Sequence, residues 1–114
     1  MDRNIALVGF MGAGKTAVGK LLANRLNRTF VDVDDVIEQR ESRPISDIFS
    51  QDGEPYFRKI EKEATKEVAL QPKRVIACGG GVVLDKENIA NLKGTSTIIY
   101  LKTTPEVILK RTKG

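Results

Sequence analysis

Short apolar runs rich in β-branched residues alternate along the chain with segments whose apolar residues recur every three or four positions. The first pattern is typical of buried strands and the second of amphipathic helices. Strands are predicted at residues 4–8, 29–33, 74–78 and 97–101. Helices are predicted at about 15–28, 36–40, 52–70, 86–92 and 105–111, with one more helical turn at 45–49. This alternation predicts an α/β fold with a mostly parallel, four-stranded sheet and helices on both faces.

Individual residues indicate how some of these helices pack, begin and end. The first helix is predicted to present one apolar face, made by Val18, Leu21, Leu22 and Leu26. Ser46 and Asp47 are candidate caps for the helical turn at 45–49, because their side-chain oxygens can accept from free backbone N–H groups. Gly94 is expected to end the helix at 86–92.

Composition narrows the class of protein. A chain of 114 residues, 40% hydrophobic and 30% charged, predicts one globular domain. The net charge of +4 permits anionic ligands, but Lys and Arg are scattered, so neither nucleic acid nor a membrane is expected as a partner. The chain has no histidine, which excludes His-based catalysis and His metal sites. A single cysteine, Cys78, and no long apolar run indicate a cytoplasmic protein.

A glycine-rich loop lies between the first predicted strand and helix. Residues 9–16 fit the pattern G-x-x-x-x-G-K-[ST], in which backbone N–H groups cradle a polyphosphate. The N-terminus of the following helix adds positive potential at the same place. Lys15 is predicted to reach the outer phosphates, and the Thr16 hydroxyl to bind Mg²⁺.

Two acids lie at the C-terminal end of the second predicted strand. Asp32 and Asp34 are two residues apart, so a strand would place both side chains on one face, at the edge where the glycine loop opens. One acid is expected to help hold hydrated Mg²⁺ and the other to hold the phosphoryl acceptor. Helix capping is the alternative, and it accounts well for one acid, Asp35.

The third predicted strand ends at Gly79, Gly80 and Gly81, where backbone can approach a ligand closely. Arg58 and Glu61 lie three residues apart on the long helix, and their spacing alone indicates an ordinary surface ion pair. Glu54 is given the same interpretation. Cys78 is expected to be a small buried residue, not a reactive thiol.

These motifs together resemble those of the shikimate kinase family. The resemblance runs over essentially all 114 residues, and the glycine loop alone is shared by many nucleotide-binding proteins. The family's more specific elements match Asp32-Val33-Asp34, residues 45–49, residues 53–61 and the three glycines at 79–81.

The resemblance implies a three-layer P-loop fold like that of nucleoside monophosphate kinases. It implies transfer of the ATP γ-phosphate to the 3-hydroxyl of shikimate, a step of aromatic amino-acid biosynthesis. Lys15 and Asp34 would be the catalytic residues, and Thr16 and Asp32 would lie on the magnesium side. The nucleotide would be held by Gly12, Ala13, Gly14, Lys15, Thr16, Ala17 and Arg111. Shikimate would be held by Asp34, Arg58, Glu61, Gly79, Gly80 and Gly81, with Arg58 on its carboxylate and Glu61 orienting Arg58.

The chain departs from the family in its length. Members continue past the position of Arg111 with a lid, a last strand and an adenine-binding loop. We therefore expect the domain to be incomplete at its C-terminus and the chain, as written, to be inactive or nearly so. The family expectation is a monomer, although an unpaired sheet edge favours association. Two alternatives stay open: a kinase of gluconate or a nucleoside monophosphate, and a nucleotide-binding module without catalysis.

Overall fold

The computed structural model of the chain describes residues 3–9, 15–79, 81–82 and 85–101. In these ranges strands and helices alternate as the apolar pattern predicts. The elements are β1 (Asn4–Gly9), α1 (Lys15–Leu26), β2 (Thr29–Asp32), α2 (Val33–Glu41), α3 (Ile45–Ala69), β3 (Arg74–Ala77), α4 (Lys86–Thr95) and β4 (Ser96–Leu101).

The strands form one parallel sheet in the order β2-β3-β1-β4. Ile5 of β1 lies opposite Val75 of β3, and Thr29 of β2 lies opposite Arg74. The predicted parallel sheet is therefore confirmed. Because parallel strands point the same way, the ends of β1, β2 and β3 meet at one edge, where such sheets bind ligands.

Helices cover both faces of the sheet. On one face, α1 packs over Leu7 and Val75, with Ala23 at the centre of the contact. On the other face, α2, α3 and α4 enclose a larger core built from Ala6, Val8, Val33, Ile37, Ile48, Phe57, Ala64, Val68, Ala69, Ile76, Cys78, Val82 and Leu92. The predicted three-layer arrangement is thus present in the described residues.

The apolar face predicted for α1 is partly wrong. Val18 and Leu22 pack on the sheet, but Leu21 and Leu26 are about half exposed. The buried residues of α1 are Gly19 and Ala23 instead. Gly19 lies directly against Phe30 and Leu7 of the sheet, so a small residue makes the contact that the apolar pattern assigned to leucines.

The junction of β2 and α2 differs from the prediction in a way that matters for the site. The strand ends at Asp32, and the helix begins at Val33 and not at residue 36. Asp32 is the N-cap, since its carboxylate accepts from the backbone N–H of Asp34 at 2.9 Å. The prediction that Asp35 makes this cap is therefore wrong, and Asp34 lies in the first helical turn and not on the strand.

The start of α3 is capped by a side chain of the preceding helix, α2. Pro44 is its N-cap and makes no side-chain cap bond, so the predicted capping by Ser46 or Asp47 is wrong. The Glu38 carboxylate of α2 accepts from the backbone N–H of Ile45 at 2.8 Å instead. This bond ties the start of α3 to α2.

The two helices predicted at 45–49 and 52–70 form one kinked element. Gly53 breaks the helical geometry of α3 with φ 84° and ψ 170°, a conformation that side chains disfavour. The predicted helix start near residue 52 therefore corresponds to a kink and not to a loop. Beyond it, the helix carries Phe57 and Glu61 onto the sheet side.

Two other boundaries differ by a few residues. β3 ends at Ala77, so Cys78 lies just beyond the strand. Helix α4 runs through Gly94 to Thr95 and leads directly into β4 at Ser96. A glycine within a helix destabilises it by only about 1 kcal/mol relative to alanine. The burial of Leu92 and the immediate start of β4 offset this cost, so the helix continues through Gly94. No helix in the described ranges is long and apolar enough to cross a membrane.

Candidate functional site

The end of the site where the sequence predicts phosphate binding, called the phosphate end below, lies where β1 leads into α1. Lys15 is the first residue of α1, and its Nζ donates to the carbonyl oxygen of Gly9 at 3.1 Å. This bond spans the two ends of the glycine loop and holds the ammonium at the sheet edge. Ala17, in the first turn of α1, is exposed. The first turn of α1 contains no acidic residue, so nothing in it opposes an anion at the helix N-terminus.

Thr16 and Asp32 meet at this edge from different elements. The exposed Thr16 hydroxyl donates to Oδ2 of Asp32 at 3.4 Å, while Oδ1 of Asp32 caps α2. The cap fixes the carboxylate and leaves Oδ2 directed at the start of α1. The family resemblance placed Thr16 and Asp32 on the same side of the site, and the structure brings the two side chains together.

Asp34 and Glu61 approach the same glycine. A methyl group placed on Gly79 would come within 2.9 Å of Asp34 Oδ1 and 3.4 Å of Glu61 Oε2. Only glycine therefore lets both carboxylates come this close to the backbone after β3. Burial, and secondarily the charges of Asp32 and Glu38, raise the pKa of Asp34. Burial also raises the pKa of Glu61, against the opposing effect of Arg58.

Arg58 is not the ordinary surface residue that its spacing indicated. Its Nη1 donates to Oε1 of Glu61 at 3.1 Å, and the Glu61 side chain is only 2% exposed. On its outer side, Nε and Nη2 donate to Oε2 of Glu54 at 3.4 and 3.2 Å. The guanidinium is thus bound on its inner side by the buried carboxylate of Glu61 and on its outer side by the exposed carboxylate of Glu54.

Two aromatic rings lie beside the guanidinium. The Arg58 Cζ is 5.3 Å from the centre of the Phe57 ring and 6.0 Å from that of Phe49. The two rings are themselves in contact, with centroids 4.6 Å apart. Ring faces attract a cation, so the pair restricts where the guanidinium can move. Phe49 was missed by sequence reasoning, because the Gly53 kink lies between it and Arg58 and helical spacing cannot be carried across a kink.

Gly81 completes the surroundings of Arg58. A Cβ on Gly81 would overlap the guanidinium, lying 2.6 Å from Cζ and 2.8 Å from Nη2. The guanidinium therefore occupies the space of the missing side chain. Arg58 and Gly81 line an open cavity of about 680 Å³, together with Glu54, Glu61, Asp85, Lys86, Glu87 and Asn88.

The described residues therefore bring most of the predicted site together at one sheet edge. Lys15, Thr16 and Asp32 lie at its phosphate end, and Asp34, Gly79, Glu61, Arg58 and Gly81 form a connected series beside it. Glu54 is the residue that sequence reasoning dismissed; its position four residues before Arg58 was the available signal. Several predicted positions lie outside the described residues, namely Gly12, Ala13, Gly14, Gly80, Arg111 and the helix at 105–111.

A parallel sheet whose first strand leads through G-x-x-x-x-G-K-[ST] into a helix, with carboxylates at the same edge, defines a P-loop α/β protein. Within that class, the shikimate kinase family profile matches residues 11–114. The chain belongs to the shikimate kinase family.

Individual relatives agree with this assignment. The chain is 46% identical to a shikimate kinase of Moorella thermoacetica and 50% identical to one of Thermodesulfovibrio yellowstonii, over 97% of its own length in each case. A solved shikimate kinase from Acinetobacter baumannii, in complex with shikimate, superposes with a TM-score of 0.89 over 98% of the chain at 41% identity. The chain spans 64% of the length of the first two relatives and 63% of the solved chain.

Proposed function

We propose that this chain provides the phosphate cradle and the acceptor site for ATP-dependent phosphorylation of the 3-hydroxyl of shikimate. The observation that carries the proposal is the guanidinium of Arg58, fixed by buried Glu61 and by Gly81 at the wall of a cavity. A planar guanidinium held in this way suits a carboxylate ligand, which it can bind through two parallel hydrogen bonds. The solved relative that contains shikimate supports the same acceptor.

The phosphate end is suited to charge neutralisation. Phosphoryl transfer depends on positioning and on compensation of negative charge more than on covalent catalysis. Lys15 would exchange its bond to the Gly9 carbonyl for phosphate oxygens. The N–H groups of residues 12–17 would contact the polyphosphate, and Arg111 would lie near the adenine.

Thr16 and Asp32 are a suitable pair for Mg²⁺. They offer one hydroxyl and one carboxylate oxygen, 3.4 Å apart. Mg²⁺ prefers this few protein oxygens because it keeps several of its waters. When bound, the ion would neutralise charge on the phosphates.

Asp34 would hold the acceptor hydroxyl. Its carboxylate lies against Gly79, between the phosphate end and the Arg58 end of the site. Burial raises the pKa of this carboxylate, which makes it a better proton acceptor than an exposed aspartate. Asp34 would therefore orient the hydroxyl and accept its proton, while Gly79, Gly80 and Gly81 allow the ring to lie close to the backbone. Burial raises the pKa of the Cys78 thiol to about 12, so we propose no catalytic role for it.

The acceptor can be identified by titration of the isotope-labelled chain followed by NMR. Shikimate, gluconate and AMP would be added separately in the presence of an ATP analogue and Mg²⁺. Of the three compounds, we expect only shikimate to shift the backbone signals of Gly79 and Gly81. Shifts with gluconate or AMP but not with shikimate would contradict the proposal, and binding of nucleotide alone would favour a non-catalytic module.

We further propose that residues 1–114 belong to one kinase domain that acts on small molecules in the cytoplasm. The continuous sheet supports the first point. Cys78 is buried and forms no disulfide, which is compatible with a reducing compartment.

A further inference from the structure

We propose that Glu54 is an exchangeable cap on Arg58, which leaves the guanidinium when the carboxylate of the acceptor binds. This inference rests on the proposed function, because it requires an acceptor with a carboxylate. It assigns a role in binding to a residue whose position on an exposed helix surface indicated none.

The two carboxylates on Arg58 have very different surroundings. The Glu54 side chain is 62% exposed, whereas that of Glu61 is 2% exposed. Breaking the Glu61 bond would leave a carboxylate buried without its partner, which is strongly unfavourable. Breaking the Glu54 bonds returns a flexible side chain to water, and exposed pairs of this kind contribute little to stability. Of the two, Glu54 is therefore the one that can be displaced.

The geometry of the Glu54 contact also matches that of a ligand. Nε and Nη2 form one of the edges through which a guanidinium binds a carboxylate with parallel hydrogen bonds. Both atoms donate to the same oxygen, Oε2 of Glu54, at 3.4 and 3.2 Å. These are long bonds for a charged pair, and one oxygen serves two donors. A carboxylate that approached with both oxygens would satisfy this edge better.

Charge gives a second reason for exchange. Arg58 already carries one positive charge between two carboxylates. A third carboxylate at the same cavity would add repulsion unless one of the first two moved away. In the absence of ligand, Glu54 keeps the guanidinium oriented on its outer side while Glu61 and Gly81 hold its inner side. Glu54 thus keeps Arg58 in its orientation, but it also competes with the acceptor carboxylate for the same guanidinium.

The test compares Glu54→Gln with wild type in titrations with shikimate and with its neutral methyl ester. Removal of the competing charge should tighten shikimate binding by roughly two- to fivefold, the range that exposed ion pairs imply. The methyl ester should bind the two proteins equally, because it carries no charge to compete with. If Glu54 had a merely structural role, its substitution would change the affinities for both ligands by the same factor.

Glu87→Gln is the matched control. Glu87 lines the same cavity and is exposed, but it pairs with Lys62 at 3.6 Å and not with Arg58. Unchanged or weaker shikimate binding by Glu54→Gln, or equal tightening by Glu87→Gln, would overturn the proposal. If wild type binds no shikimate, the proposed function fails and the cap fails with it; if wild type binds but Glu54→Gln shows no gain, only the cap fails.

Discussion

At the scale of single residues, Gly81 and Arg58 are fitted to each other so closely that a methyl group on the glycine would overlap the guanidinium. The overlapped atoms are the far end of a flexible side chain, so Gly81→Ala can be accommodated by moving Arg58 away. Because this movement weakens the bond from Arg58 to buried Glu61, we expect the free energy of unfolding to fall by about 1–3 kcal/mol. Shikimate affinity should fall on the order of tenfold or more, since a charge-assisted bond is misplaced.

Gly94→Ala provides the control for that substitution. Apart from its chain neighbours and the backbone of its own helix, a Cβ added to Gly94 would meet no atom of the described residues within 4 Å. Gly94 lies in α4 and does not line the cavity. The substitution should leave shikimate affinity unchanged and stabilise the helix by about 0.5–1 kcal/mol. Chemical denaturation and calorimetric titration of both variants would measure the two quantities. Wild-type affinity in Gly81→Ala would show that Arg58 does not need its observed position.

The raised pKa of Glu61 predicts how stability depends on pH. Burial raises this pKa above its ordinary value of 4.5, so the folded chain holds the proton more tightly than the unfolded chain. The stabilisation is complete below the unfolded pKa and is lost as pH rises through the folded one. Relative to Glu61→Gln, which does not titrate, wild type should therefore lose stability as pH rises from about 4 toward neutrality. Urea unfolding at several pH values measures this difference, and a gain for wild type would mean that its bond to Arg58 outweighs burial.

Residue spacing predicted some of this site and missed the rest for a physical reason. The pattern G-x-x-x-x-G-K-[ST] specifies local backbone chemistry, so Lys15 and Thr16 could be identified from the chain itself. The importance of Arg58 depends on which side of α3 faces the sheet and on the approach of Gly81 from another element. The three-residue spacing of Arg58 and Glu61 carries no information about such contacts. Only the family resemblance indicated that Arg58 belongs to the site.

At the scale of elements, the close approach of α1 to the sheet depends on Gly19. A Cβ there would come within 2.9 Å of Phe30 Cδ1 and 3.4 Å of Leu7 Cδ1, in the smaller core. Gly19→Ala should destabilise the fold by about 1–3 kcal/mol, as other overpacked cores do. Asn24→Ala, on an exposed position of the same helix, is the control. Equal unfolding midpoints for the two variants would contradict the close contact.

Element types were easier to predict than their ends. Apolar runs determined all four strands within a residue or two, because burial between helix layers requires them. The start of α2 was misplaced because an aspartate can continue a strand or cap a helix, and Asp32 does both. The exposed leucines of α1 were misassigned because Gly19 and Ala23, which carry little weight in an apolar pattern, make the contact.

At the scale of the whole molecule, the order of strands in the sheet brings segments that are distant in sequence together at one site. The central strand β1 lies beside β3, and β3 lies beside β2, so residues that follow these strands meet at one edge. The phosphate end follows β1, Asp32 and Asp34 lie at the junction of β2 and α2, and the glycines follow β3. Helix α3 then extends from its kink at Gly53 to place Arg58 over the same edge. The account as a whole therefore depends on Arg58 being the carboxylate receptor.

Calorimetric titration of shikimate into Arg58→Ala tests that dependence most directly. Arg40→Ala is the matched control, since Arg40 is an exposed arginine that pairs with Glu67 on the surface. We predict that Arg58→Ala loses measurable shikimate binding while it still folds and binds an ATP analogue, and that Arg40→Ala binds shikimate like wild type. Wild-type affinity for shikimate in a folded Arg58→Ala chain would contradict the account.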